Sequence, residues 1–160
     1  KSMPADEEPD FSEFMEQYGY DTAAQEVVVN DAYYVDLTST DTSNLYSYQS
    51  LQTVIAGGGV DVLGADEMVF ENLAQSGAIA DLTQYFSKDE LEQLKDYIFY
   101  VEDKDTGDTF AAGIRLGAGS WPVEHGYYEK ECILGIALGS EHKEAAEQMF
   151  RYLLEKSNLD

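Results

Sequence analysis

This chain has very little positive charge: 9 lysines and arginines stand against 32 aspartates and glutamates, a formal net charge of −23 over 160 residues. Such a field repels nucleic acid and anionic lipid surfaces, so neither is an expected partner. It attracts cations and basic protein patches, but only over about 8 Å at physiological ionic strength, so it steers partners without specifying them. Cysteine is nearly absent. The lone Cys132 excludes an internal disulfide and, inside Cys132-Ile133-Leu134, reads as a small buried hydrophobe. Long apolar runs are missing too, and nothing approaches the roughly 20 residues of a membrane helix. With two histidines and no Ser/His/Asp or Cys/His nucleophile pattern, an enzyme is not expected.

What is present is enough for one domain: 44% hydrophobic and 12% aromatic residues can bury a single core. Residues 1–10 read as a flexible acidic lead-in, and 11–160 as the domain. Phe11, Phe14, Met15 and Tyr18 recur at helical spacing, with Gly19 as a stop. Glu26–Asn30 through Tyr34–Leu37 is β-branched and aromatic, and predicts one strand or two. A helix follows, capped by Ser43 or Asn44, with Leu45, Tyr48, Leu51 and Ile55 on one face. Val60–Leu63 reads as a short buried strand of the parallel type.

Asp66 caps the next helix, which turns Met68, Val69, Phe70, Leu73 and Ala74 inward and ends at Gly77. Ser87 and Glu90 have capping-box spacing for a third helix. Ile98–Val101 and Thr109–Ile114 predict a hairpin around residues 103–108. Residues 117–130 read as loop, Cys132–Leu138 as the last strand, and Ser140 as the cap of a final helix. Strands alternating with helices predict a three-layer α/β domain whose sheet is mixed but mostly parallel.

Three motifs look chemical and have simpler explanations. Asp103, Asp105 and Asp108 resemble a calcium loop, but counting from Asp103 puts Asp108 where glycine is needed and Ile114 where glutamate is needed. A turn with Gly107 at positive φ is favoured. Gly57-Gly58-Gly59 lacks the Gly-Lys-Ser/Thr of a phosphate loop, and reads as a helix stop and tight turn. His125, Cys132 and His142 do not form a zinc set without a fourth ligand. No metal or cofactor is expected.

The stretch Leu51–Leu82 carries a resemblance. Ile55-Ala56-Gly57 with Asp61-Val62, then Phe70 to Leu82, then Leu134-Gly135-Ile136 with Ser140 and Ala145, together resemble the extracytoplasmic solute-binding proteins of ABC transporters. The likeness lies in the order and spacing of motifs over about residues 25–156. It implies one lobe of a periplasmic-binding-protein fold, held outside the bacterial membrane by an anchor that is not in this chain. The family has two lobes, but here only residues 115–132 separate the exit strand from the return strand. The second lobe is therefore expected to be absent.

The implied function is non-enzymatic binding of a small solute or a protein partner. Its half-cleft would lie at the strand and helix ends bearing Tyr34, Asp36, Asp66 and Glu67, with Trp121 beside it. Asp66 and Glu67 are also explained by helix capping and dipole complementarity. Trp121 either stacks on a ligand or folds back over the core edge that the missing lobe exposes, and that uncovered edge favours the second role. The other functional expectation is a structural or interaction protein with a vestigial cleft, forming a homodimer through the missing-lobe edge.

Overall fold

A computed structural model describes residues 9–30, 35, 37–38 and 41–159. Among these it forms four strands, β1 (Val62–Ala65), β2 (Ile98–Glu102), β3 (Thr109–Leu116) and β4 (Cys132–Ile136). Six α-helices accompany them: α1 (Ser12–Gln17), α2 (Thr42–Ala56), α3 (Glu67–Gln75), α4 (Lys88–Gln93), α5 (Trp121–Glu124) and α6 (Lys143–Glu155). None of the helices in the described residues is long and apolar enough to cross a membrane.

The sheet runs β1-β4-β3-β2 and every neighbouring pair is antiparallel. This overturns the mostly parallel sheet expected from strand–helix alternation. The reason lies in one connection. Residues 117–131 hold only the single-turn α5, too little for the helical crossover that parallel neighbours require, so β4 returns directly beside β3. The strands that do run in the same direction, β1 with β3 and β4 with β2, are thereby never neighbours. The expected strand across residues 26–37 also changes: Glu26–Asn30 carries none, and residues 31–34 and 36 lie outside the described residues.

All of β4 is buried, and its alternation divides the core. Cys132, Leu134 and Ile136 face a cluster that includes Phe14 and Met15 of α1 and Phe150, Leu153 and Leu154 of α6. Ile133 and Ala137 face the other side, with Leu51 and Ile55 of α2 and Val69, Phe70 and Leu73 of α3. The β2–β3 hairpin is as expected, with Gly107 at φ +75° in its turn. Its register slips between Phe99 and Tyr100, which pair with Gly113 and Ala111, so Ala112 is the extra residue of a β-bulge. Phe70, fully buried, lies over both Gly113 and Gly135: a Cβ on either would come within 2.6 Å and 2.7 Å of its Cζ.

Several boundaries move for local reasons. Asp41, not Ser43 or Asn44, caps α2, accepting from the Ser43 amide at 3.0 Å. β1 begins two residues later than read, at Val62. The Ser87–Glu90 capping box forms with both of its bonds. α6 starts at Lys143, and Ser140, rather than capping it directly, accepts from the His142 amide at 3.1 Å. α5 falls in the stretch expected to be loop, because its four residues are too few for any period; Pro122, its second residue, brings a preset φ to the first turn.

Candidate binding surface

The register places the C-terminal end of β1, the start of β4 and the end of β3 at one end of the sheet, where Asp66 and Glu67 follow β1. Asp66 caps α3, its Oδ1 accepting from the Val69 amide at 2.9 Å. Glu67 pairs with Arg115 at 3.2 Å, and Arg115 also reaches Glu131 at 2.9 Å while its guanidinium stands over Phe99. Tyr128 reaches from the β3–β4 connection to donate its hydroxyl to the Gly64 carbonyl at 2.6 Å. This end of the sheet is therefore knit together by its own side chains.

Trp121 is half-buried and stacked: His125 lies 4.2 Å from its ring centre and Tyr127 5.6 Å, while Phe11 packs at 5.5 Å. Its ring packs against the α1 and α6 side of the core. Of the five expected site residues, Asp66 and Glu67 are brought together at the start of α3. Trp121 belongs to a separate aromatic packing group, and Tyr34 and Asp36 lie outside the described residues.

The titratable groups buried at this end are held away from reactivity. Burial first, and the neighbouring Glu131 second, push the Cys132 thiol up to about 12, so its thiolate is negligible near neutrality. Burial likewise raises Tyr128. Among the described residues, no group of three or more histidines, cysteines, aspartates and glutamates is placed to hold a metal ion.

A Ser–His–Asp set does assemble at the opposite end, although the sequence shows no such pattern. Ser140, buried, donates to Asp61 Oδ1 at 2.6 Å, and His142 Nδ1 lies 3.3 Å from the same oxygen. The hydroxyl points to the carboxylate, not to the imidazole, so the histidine is not placed to take its proton. The set is a staple instead, holding the start of β1 to the approach to α6. We expect Asp61→Ala to cost about 1–2 kcal/mol by stranding the buried Ser140 hydroxyl. Asp61→Asn, which retains an acceptor, should lose less; urea denaturation of the two variants checks this.

Two open grooves lie at this same end and meet at Gly77 and Leu138. One, of about 290 Å³, runs past Ile79 and Phe110 with Asp81, Asp103 and Asp108 on its wall. The other, of about 410 Å³, runs past Ile55, Ala56 and Ala78 to Gly139. Asp81 and Asp103 are fixed by the backbone. Asp81 Oδ1 accepts from the Thr83 amide at 2.9 Å, and Asp103 Oδ1 from the Asp105 and Thr106 amides at 2.8 Å and 3.1 Å. In the sequence Asp103 is legible only as a turn residue and Asp81 only as part of the Phe70-to-Leu82 motif. Leu138, expected to end the last strand, lies beyond β4 with 45% of its surface exposed.

No family model, curated protein or solved structure matches this chain.

Proposed function

We propose that this protein is a non-catalytic binding module, related to transporter solute-binding proteins and reduced to one lobe, that works outside the cell membrane. The likeness of its motifs to that family supports the lineage and the location. The observation that carries the binding reading is the pair of confluent grooves around Leu138, concave and partly apolar but open to solvent. A small solute is held by sites that bury most of its surface, which needs a second wall that the described residues do not supply. A protein segment needs only one face. The reading therefore favours a protein partner over a small solute.

A thermal-shift screen of neutral sugars, polyamines, divalent cations and peptides tests this, because only ligands preferring the folded form raise the midpoint. The expected result is a rise with peptides and none with neutral sugars. A rise confined to a sugar would return the reading to solute capture, and measurable turnover of any ligand would end it. Light scattering on the same material should report a monomer. A stable dimer would favour the alternative, an interaction protein that associates through its missing-lobe edge. The inward stacking of Trp121 speaks against that contact.

A further inference from the structure

We infer that the groove crossed by Leu138 receives a basic, amphipathic segment of a partner protein, seating an apolar side chain against Leu138 and lysines or arginines along the aspartate wall. This rests on the binding-module reading and names the partner's chemistry and the place where it docks.

Two independent sources make the groove negative. The first is its side chains. Asp81, Asp103 and Asp108 line it, and no lysine, arginine or histidine does so among the described residues. The second is the backbone. α2 ends at Ala56 and α3 at Gln75, and the residues around both C-terminal ends, Ala56 and Ser76–Ala78, line the adjoining groove, which meets the aspartate-walled one at Gly77 and Leu138. A helix C-terminus carries a partial negative charge, and a basic residue in the last turn usually offsets it. Neither helix has one. The groove is thus electronegative through its architecture as well as its composition.

The shape adds the apolar requirement. Ile55, Ile79 and Phe110 line the depressions on either side of Leu138, whose exposed side chain stands where they meet. An apolar anchor buried there would contribute through area, and flanking cations through the wall. Other occupants fit worse. A second copy of this chain would bring another −23 charges to the same negative surface. Nucleic acid and anionic membranes are repelled for the same reason. A neutral peptide would desolvate the aspartates without pairing them.

The probe is a short fluorescent synthetic peptide of alternating leucine and lysine, titrated into the whole chain and followed by anisotropy. The expected result is saturable binding, weakened by salt. It should be lost when glutamate replaces lysine, and weakened about tenfold when alanine replaces leucine in the peptide, or in Leu138→Ala of the protein. Asp81→Asn combined with Asp108→Asn should weaken binding severalfold more than Asp89→Asn combined with Glu92→Gln, the same charge change made on α4. Amide chemical-shift mapping on the unaltered protein needs no variant and should place the peptide at Gly77, Ile79, Phe110 and Leu138. Equal weakening by the two pairs, or shifts centred elsewhere, would overturn this docking site while leaving a binding module intact. Failure of this peptide to bind would overturn the partner chemistry, while a midpoint rise with other peptides would keep the broader reading.

Discussion

Gly113→Ala should destabilise the protein by about 3 kcal/mol, toward the upper end of what overpacking a core usually costs. The added Cβ would lie 2.6 Å from Phe70 Cζ, 2.8 Å from Ile133 Cγ2 and 2.8 Å from the Leu134 carbonyl oxygen. The last is backbone of the central strand and cannot turn aside. Gly135→Ala meets mainly the Phe70 ring, at 2.7 Å and 2.8 Å, with the Ala112 carbonyl at a more tolerable 3.2 Å. The two variants therefore separate in a double-mutant cycle. Phe70→Leu should recover much of the loss in Gly135→Ala and little of it in Gly113→Ala. Denaturant midpoints of the three single variants, the two double variants and the parent measure this. Equal rescue of both would mean that β3 shifts to accommodate the new methyl.

Arg151→Met should cost about 2 kcal/mol near neutrality, and the cost should shrink in acid. Arg151 reaches from α6 to Glu90 of α4, to Glu147 one turn earlier and to the Tyr85 carbonyl at 2.6 Å, and its guanidinium stacks 4.2 Å above Phe86. It fastens the last helix to the segment after α3. The hydrogen bond from Arg151, then the Ser87 amide, lowers Glu90 from the usual 4.5 to about 2. A carboxyl with a lowered folded pKa stabilises the fold above its unfolded value and loses that contribution as pH falls through the folded one. The parent should therefore lose stability between about pH 4.5 and pH 2, while Arg151→Met should show a flatter profile there. Both partners are about a third or more exposed, so solvent screens the pair and the pH-dependent part is only a fraction of the total. Parallel pH profiles for the two proteins would show that Glu90 owes its shift to Ser87 alone.

Much of the secondary structure could be read from local pattern. The stripe of Val69, Phe70, Leu73 and Ala74, the stripe of Ala146, Phe150, Leu153 and Leu154, and the Ser87–Glu90 spacing each follow from a few neighbouring residues. Strand direction could not be read, because it depends on which strand sits beside β1, and that partner, β4, lies some seventy residues further along. A buried run such as Cys132–Ile136 reads alike in parallel and antiparallel sheets, since both of its faces are covered. The candidate site divides the same way. Asp66 and Glu67 are correctly the start of a helix, a local property. The grooves around Leu138 bring the ends of two helices, a hairpin turn and the exit from β4 to one place, and no stretch of sequence holds that information. The meeting of Asp61 with Ser140 was hidden for the same reason.

β4, one of the two inner strands of this sheet, is also the last of the four described strands in sequence order. While the protein is being synthesised, β1 and the β2–β3 hairpin exist before the strand that joins them, and each keeps an open edge until Cys132–Ile136 leaves the ribosome. Open edges invite pairing with other chains. Completion of the sheet therefore waits on residues 132–136, and a nascent chain stopped short of them should hold the β2–β3 hairpin without the strand that joins it to β1.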